Sequence, residues 1–176
     1  MVIVLMGVSG SGKTAVGQAL AAKLGWTFED ADDWHPSANV AKMRSGIPLT
    51  DKDREPWLRS LNGAIQGWIA NGKDTLLACS ALRERYRDAL RGGIKNSACL
   101  RFVYLRGTYE QIDRRLRARS GHFMPESLLR SQFEALEEPK AEEAFALDAR
   151  MPIPQAVDAI IAGLRLDASS SQRSCA

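Results

Sequence analysis

Two clusters of residues in this chain have types and spacings suited to chemistry. The first is Gly7-Val8-Ser9-Gly10-Ser11-Gly12-Lys13-Thr14, which matches G-x-x-x-x-G-K-[ST] at every fixed position. Glycines without Cβ atoms let consecutive backbone N–H groups curl around a phosphate, and a following helix adds the partial positive charge of its N-terminus. Lys13 would reach the β- and γ-phosphates of a nucleoside triphosphate, and the Thr14 hydroxyl would hold Mg²⁺. The second cluster is Asp30-Ala31-Asp32-Asp33-Trp34-His35-Pro36. Asp30 and Asp32 lie two apart, so one could face a metal site and the other an acceptor pocket. Turn or N-cap aspartates are the structural alternative.

These residues need elements to present them. Val2 to Met6 is an uninterrupted apolar run, the pattern of a strand buried on both faces of a parallel sheet, and it leads straight into the glycine-rich loop. A helix is expected from Thr14 to Leu24, stopped by Gly25. Trp26 to Glu29 reads as a second strand that delivers Asp30 to its C-terminal end, the edge where open parallel sheets bind ligands. Asn39 to Ser45 reads as a short helix. Thr50 to Asp53 caps a long one running to about Asn71, with Trp57, Leu58, Leu61, Ile65, Trp68 and Ile69 at helical spacing. Trp68 suits a core, whereas Trp57, near the helix start, suits a core or a binding platform equally.

Further strands are expected at Thr75 to Ser80, Leu100 to Leu105 and Ala144 to Leu147. Helices are expected at Arg83 to Arg91, from the capping box Thr108-Tyr109-Glu110-Gln111 onward, at Glu126 to Leu136, and at Pro154 to Leu166. Strands alternating with helices imply right-handed crossovers. The expected fold is α/β: one parallel sheet of about five strands flanked by helices, as a single domain over residues 1–166. The Ser-rich stretch 167–176 lacks apolar periodicity and is expected to be disordered.

Composition sets bounds. The chain has 176 residues and a net charge of +3, enough for one sizeable core. No apolar run is long enough to span a bilayer, and the N-terminal run is a core strand rather than a signal sequence. Cys79, Cys99 and Cys175 form no C-x-x-C pair and suit free thiols in a reducing cytoplasm. Arginines crowd the middle of the chain. Such a stripe could serve a nucleotide-regulated nucleic-acid-binding module, but the interleaved aromatics of a stacking platform are missing. Polyphosphate neutralisation explains the arginines more economically, so neither nucleic acid nor membrane is expected as a partner. His35 and His122 offer too few ligands, and no helical spacing, for a metal site of their own.

A GTPase would need a D-x-x-G switch, and no Asp has Gly at that spacing; Asn71-Gly72-Lys73-Asp74 displaces the Lys of a guanine-reading motif. A motor ATPase would place Asp or Glu where Cys79-Ser80 stands. The loop instead resembles that of the P-loop small-molecule kinases related to shikimate and nucleoside monophosphate kinases. The remaining motifs resemble those of the gluconate kinases (gluconokinases). They are Asp30 to Pro36; Asn39 to Leu49; Asp53-Arg54-Glu55-Pro56-Trp57-Leu58; Cys79-Ser80-Ala81-Leu82; Tyr86-Arg87-Asp88; Arg119-Ser120-Gly121-His122-Phe123-Met124; and Ser131 to Pro139. They run in order from Met6 to about Pro139. Ala31 stands where the family often has Gly, and Thr14 replaces Ser without losing the hydroxyl.

The resemblance implies a P-loop kinase fold with a mobile lid and an enzyme that phosphorylates the terminal hydroxyl of D-gluconate to 6-phosphogluconate with ATP and Mg²⁺. Gly7, Val8, Ser9, Gly10, Ser11, Gly12, Lys13 and Thr14, with Arg115, would bind ATP. Asp30 would bind Mg²⁺ through water beside Thr14. Asp32 would accept a hydrogen bond from the substrate hydroxyl and serve as the base. Ser80 would face the substrate, as would His122 and Gln132, while His35 could meet a sugar hydroxyl or cap the next segment. Arg83 could grip the acid's carboxylate in bidentate fashion, with Lys42, Arg44 and Arg54 as rivals. Arg115, Arg117 and Arg119 precede a hinge-like break at Gly121, the form of a lid (residues 115–127) in which Arg119 would meet the transferring phosphoryl group; a surface arginine face is the alternative. A homodimer is implied because related kinases are often dimers, although no isolated apolar stripe marks an interface. Same-fold kinases for shikimate, a nucleotide or another sugar acid are the near alternatives.

Overall fold

The computed structural model describes residues 1–118 and 126–166; residues 119–125 and 167–176 lie outside the described residues. Five strands form one sheet: β1 (Val2–Met6), β2 (Thr27–Asp30), β3 (Thr75–Ala78), β4 (Leu100–Arg106) and β5 (Phe145–Asp148). Their order is β2-β3-β1-β4-β5, and every adjacent pair is parallel. β1 lies in the middle, with Val4 opposite Leu77 on one side and Phe102 on the other. All five of its residues are buried. That is why its sequence shows no alternation of apolar and polar residues.

The alternation is instead one of faces. Ile3 and Leu5 point into a core shared with Leu20 of α1 (Lys13–Leu24) and with Val157 and Ile160 of α7 (Ile153–Leu164). Val2, Val4 and Met6 point the other way, onto Leu61 and Ile65 of α3 (Asp51–Ala70) and Leu90 of α4 (Glu84–Arg91). Each large aliphatic side chain so buried contributes roughly 1.5–3 kcal/mol. The remaining helices are α2 (Ser37–Arg44), α5 (Tyr109–Arg117) and α6 (Glu126–Ala135). No helix among the described residues is long and apolar enough to cross a membrane.

Several boundaries differ from the sequence reading. α2 starts at Ser37, two residues early, behind Pro36, whose fixed φ leads into a helix. The acidic stretch after β2 coils into a 3-10 turn, Ala31–Trp34, because the Asp30 side chain accepts the Asp32 N–H at 3.1 Å. β3 ends at Ala78, and the chain then turns through Ala81 at φ +42°, a conformation costly for any residue with a Cβ. Trp57 belongs to the core: it is 2% exposed and its Nε1 donates to the Ala31 carbonyl at 2.7 Å. The expected free thiol is seen at Cys79, where burial pushes the pKa up to about 12; Cys99, by contrast, is disulfide-bonded.

The turn after β3 is held by a buried cation. Arg87, on α4, is 1% exposed and donates to the carbonyls of Ala81, Leu82 and Glu137 at 3.4, 3.3 and 3.0 Å. It also pairs with Glu143 at 3.4 Å. Arg87→Ala would strand several buried acceptors at once. It is expected to cost roughly 3 kcal/mol of stability, read as a lower denaturant midpoint in equilibrium unfolding. A midpoint within error of the parent would show that this cation is dispensable.

Candidate active site

The C-terminal edges of β2, β3 and β1 lie side by side, so the segments leaving them share one cleft. The loop after β1 begins at Gly7 with φ +141°, and a Cβ there would come within 2.9 Å of the Leu105 carbonyl oxygen and Ser11 Oγ. Only glycine fits. The Gly7 N–H donates to the Ser80 carbonyl at 3.3 Å, tying the loop to the turn after β3. Gly12 caps α1 at φ +104°. Lys13 folds back, its Nζ donating to the carbonyls of Gly7 (3.0 Å) and Val8 (3.1 Å). Burial holds the Lys13 pKa below its ordinary value, opposed by the nearby charge of Asp32.

Thr14 Oγ1 donates to Asp30 Oδ2 at 3.1 Å. A hydroxyl and a carboxylate so placed are hard oxygen donors, which suits Mg²⁺, an ion that keeps several waters and takes few protein ligands. Asp32 is exposed at the cleft mouth, yet partial desolvation of its carboxyl raises the pKa, with the charge of Asp30 adding and Lys13 opposing. A carboxyl with a raised pKa beside a lysine is suited to taking a proton. His35 stacks on Trp57 (centroids 4.3 Å apart, planes at 14°). Burial, with Arg54 nearby, lowers its pKa to about 4, so the ring is neutral.

Beyond His35 lies an arginine cluster. The guanidinium carbons of Arg54, Arg83 and Arg85 lie 5.5, 6.0 and 5.5 Å from the Tyr86 ring centroid. Asp51, in the first turn of α3, accepts from the Tyr86 hydroxyl and from Arg85, and from Arg83 at 3.4 Å. Arg54 donates to the Leu49 carbonyl and reaches the Tyr86 hydroxyl at 3.4 Å. Three cations around the Tyr86 ring, with one carboxylate bonded to two of them, leave a net positive surface, which favours an anion.

The residues weighed for the carboxylate therefore divide. Arg54 and Arg83 belong to this cluster. Lys42 is spent on Asp53 at 2.7 Å, within the capping box that starts α3. Arg44, at the end of α2, is exposed and has no ion pair among the described residues. Ser80, half-buried, sits where its carbonyl holds Gly7. Gln132, expected at the acceptor, has both amide atoms on Ser9 of the phosphate loop. Arg115 donates to the carbonyls of Ser11 (3.1 Å) and Ala149 (2.7 Å), joining the loop to the turn after β5. Arg117 pairs with Asp113 at 2.8 Å. Arg119 and His122 lie outside the described residues. Sequence reading missed Asp51 and Arg85. Arg85, two residues past Arg83, carried a signal; Asp51 looked like an ordinary acid in a first helical turn.

Comparison with known proteins agrees with this geometry. Residues 2–139 match a family model described as an AAA domain. The chain is 51% identical over 140 residues to the thermosensitive gluconokinase of Escherichia coli (strain K12), covering 80% of this chain and 73% of that one. The crystal structure of a gluconokinase from Sinorhizobium meliloti 1021 superposes with a TM-score of 0.82 at 44% identity, covering 96% of this chain and 93% of that one. An unliganded sugar kinase from Janibacter gives a TM-score of 0.87 at 42% identity, covering 96% of each chain. A phosphate loop, a paired-aspartate strand end and a five-stranded parallel sheet, joined to these identities, place the chain in the gluconokinase family of P-loop kinases.

Proposed function

We propose that this protein transfers the γ-phosphoryl group of ATP to the terminal hydroxyl of D-gluconate, giving 6-phospho-D-gluconate. The observation that carries this reading is the convergence, on one sheet edge, of the phosphate loop, Asp32 and the arginines around Tyr86. Their chemistry calls for a triphosphate, a hydroxyl and an anionic group on the same acceptor.

In this reading Asp32 orients the acceptor hydroxyl and takes its proton, while Lys13 swings from the loop carbonyls to the phosphates. Thr14 and Asp30 would hold Mg²⁺, Asp30 through water, and the ion would neutralise phosphate charge. Arg54 and Arg83 fix the far end of the substrate through its carboxylate, with His35 and Ser80 along its length. Positioning and electrostatic stabilisation are the main work in such a transfer. Arg119 and His122, which lie outside the described residues, keep the phosphoryl-facing and substrate-facing roles that the resemblance implies. A single domain over 1–166 and a cytoplasmic homodimer complete the reading.

The test is ADP release over a panel of gluconate, glucose, shikimate and nucleoside monophosphates. Gluconate should exceed glucose by at least a hundredfold in kcat/KM, because cations placed for a carboxylate are left unpaired by the neutral sugar. Arg83→Ala should raise the KM for gluconate roughly tenfold, the loss of one charge-assisted contact, and leave the slow glucose reaction unaltered. Equal turnover of gluconate and glucose would rule the assignment out.

A further inference from the structure

Gln132 lies on α6, in the stretch of sequence that follows residues 119–125, yet its amide meets the phosphate loop. Oε1 accepts the Ser9 N–H at 2.7 Å and Nε2 donates to Ser9 Oγ at 3.1 Å. A neutral carboxamide offers one acceptor and one donor side by side, and Ser9 presents the complementary pair. Both loop groups are thus held by one side chain from 123 residues away. Glutamine is otherwise among the more flexible side chains, and ordering it costs entropy that two hydrogen bonds to a single residue offset.

The helix bearing Gln132 is itself anchored. Leu129, one turn earlier, is 2% exposed in the core, and Phe133 packs edge-on against Tyr109 of α5 with centroids 5.4 Å apart. The amide therefore projects from a fixed base. Lys13 and Arg115 are also tied to the loop, and both donate to its carbonyls. Gln132 accepts from a loop N–H, the kind of group that cradles phosphate. It sets which way the Ser9 peptide faces.

We propose that Gln132 is a positioning residue for the phosphate loop: by holding Ser9 at two points it fixes the loop in the conformation that receives the nucleotide, and couples that conformation to α6. The proposal rests on the kinase reading above, and it assigns Gln132 to the nucleotide half of the reaction rather than to the acceptor. A preorganised loop binds without first paying to order itself. Loosening it should weaken nucleotide binding and leave acceptor binding alone.

The test compares the parent enzyme, Gln132→Ala, Ser9→Ala and the double variant. Each is titrated with a non-hydrolysable ATP analogue by calorimetry without gluconate, and each is assayed for KM toward ATP and gluconate. Thermal melts check folding; alanine suits a helix interior, and losing the Ser9 hydroxyl removes no core contact. Gln132→Ala should weaken analogue binding about tenfold and raise the KM for ATP in proportion, with the gluconate KM within twofold of the parent. Ser9→Ala, which keeps the N–H contact, should cost about threefold. In the double variant the Ser9 substitution should add almost nothing, since its partner is already gone. A raised gluconate KM with unchanged analogue binding would place Gln132 on the acceptor and overturn the proposal, as would fully additive effects. Failure of the parent itself to bind the analogue would instead overturn the kinase reading.

Discussion

Replacing Asp32 with asparagine is expected to cut turnover by roughly a hundredfold or more, the scale of a lost general base, while raising the melting temperature near neutral pH. Both effects have one origin. Burial raises the Asp32 pKa above its ordinary 3.8, and Asp30 raises it further, so the fold disfavours the ionised form. A raised carboxyl pKa means that the protonated group contributes stability fully below pH 3.8. That contribution is lost as pH rises through the folded-state pKa. At neutral pH the carboxylate is therefore a net burden on the fold, and the isosteric amide removes it. Turnover has the opposite dependence, since only the carboxylate can take the hydroxyl proton. The parent's kcat should rise with pH through the raised pKa, and the variant's residual rate should lack that limb. Paired pH–rate profiles and melts measure both. A variant with the parent's turnover, or with unchanged pH dependence, would remove Asp32 from proton transfer.

Lys13→Ala is expected to lower kcat by roughly a thousandfold, in line with losing a cation preorganised for transition-state charge, with no loss of fold. In the structure Lys13 contributes little to packing: its ammonium rests on two loop carbonyls, and burial disfavours its charge. Removing it should leave circular dichroism unchanged and the melting temperature at or above the parent's. The KM for gluconate should hardly move, because the acceptor's carboxylate is assigned to arginines on the other side of the cleft. Unchanged turnover in a folded Lys13→Ala protein would refute the phosphate-binding role of the loop.

What the sequence revealed and what it hid follow from where the contacts lie along the chain. The unit β1, loop and α1 is continuous, so apolar run, glycines, Lys13 and Thr14 appear in the order in which they act. Asp30 and Asp32 were legible because the strand before them is adjacent in sequence. Each group missed or differently placed depends on a distant partner. Asp51 matters because α4 brings Tyr86, Arg83 and Arg85 to it, and nothing near Asp51 announces them. Gln132 carried a motif but no sign that Ser9 was its partner. Trp57 could be assigned to the core only once the Ala31 carbonyl stood opposite its indole nitrogen. The 3-10 turn at Ala31–Trp34 has no apolar period to reveal it, because a side-chain cap creates it.

The central place of β1 also governs how the molecule is assembled. Val2 pairs with Thr75 on one side and Leu100 on the other, so the strand that carries the phosphate loop finds no local partner. Closing such long loops before their contacts form is slow. Until β3 and β4 arrive, Val2 to Met6 is an uncharged segment rich in β-branched residues, without proline, and its backbone groups are unpaired. Those are the properties of a segment that pairs with its own copies. The native state hides the hazard completely, with every residue of the strand at 0% exposure. Aggregation in this protein is therefore a competitor of folding rather than of the folded state, and its severity should grow with chain concentration during refolding.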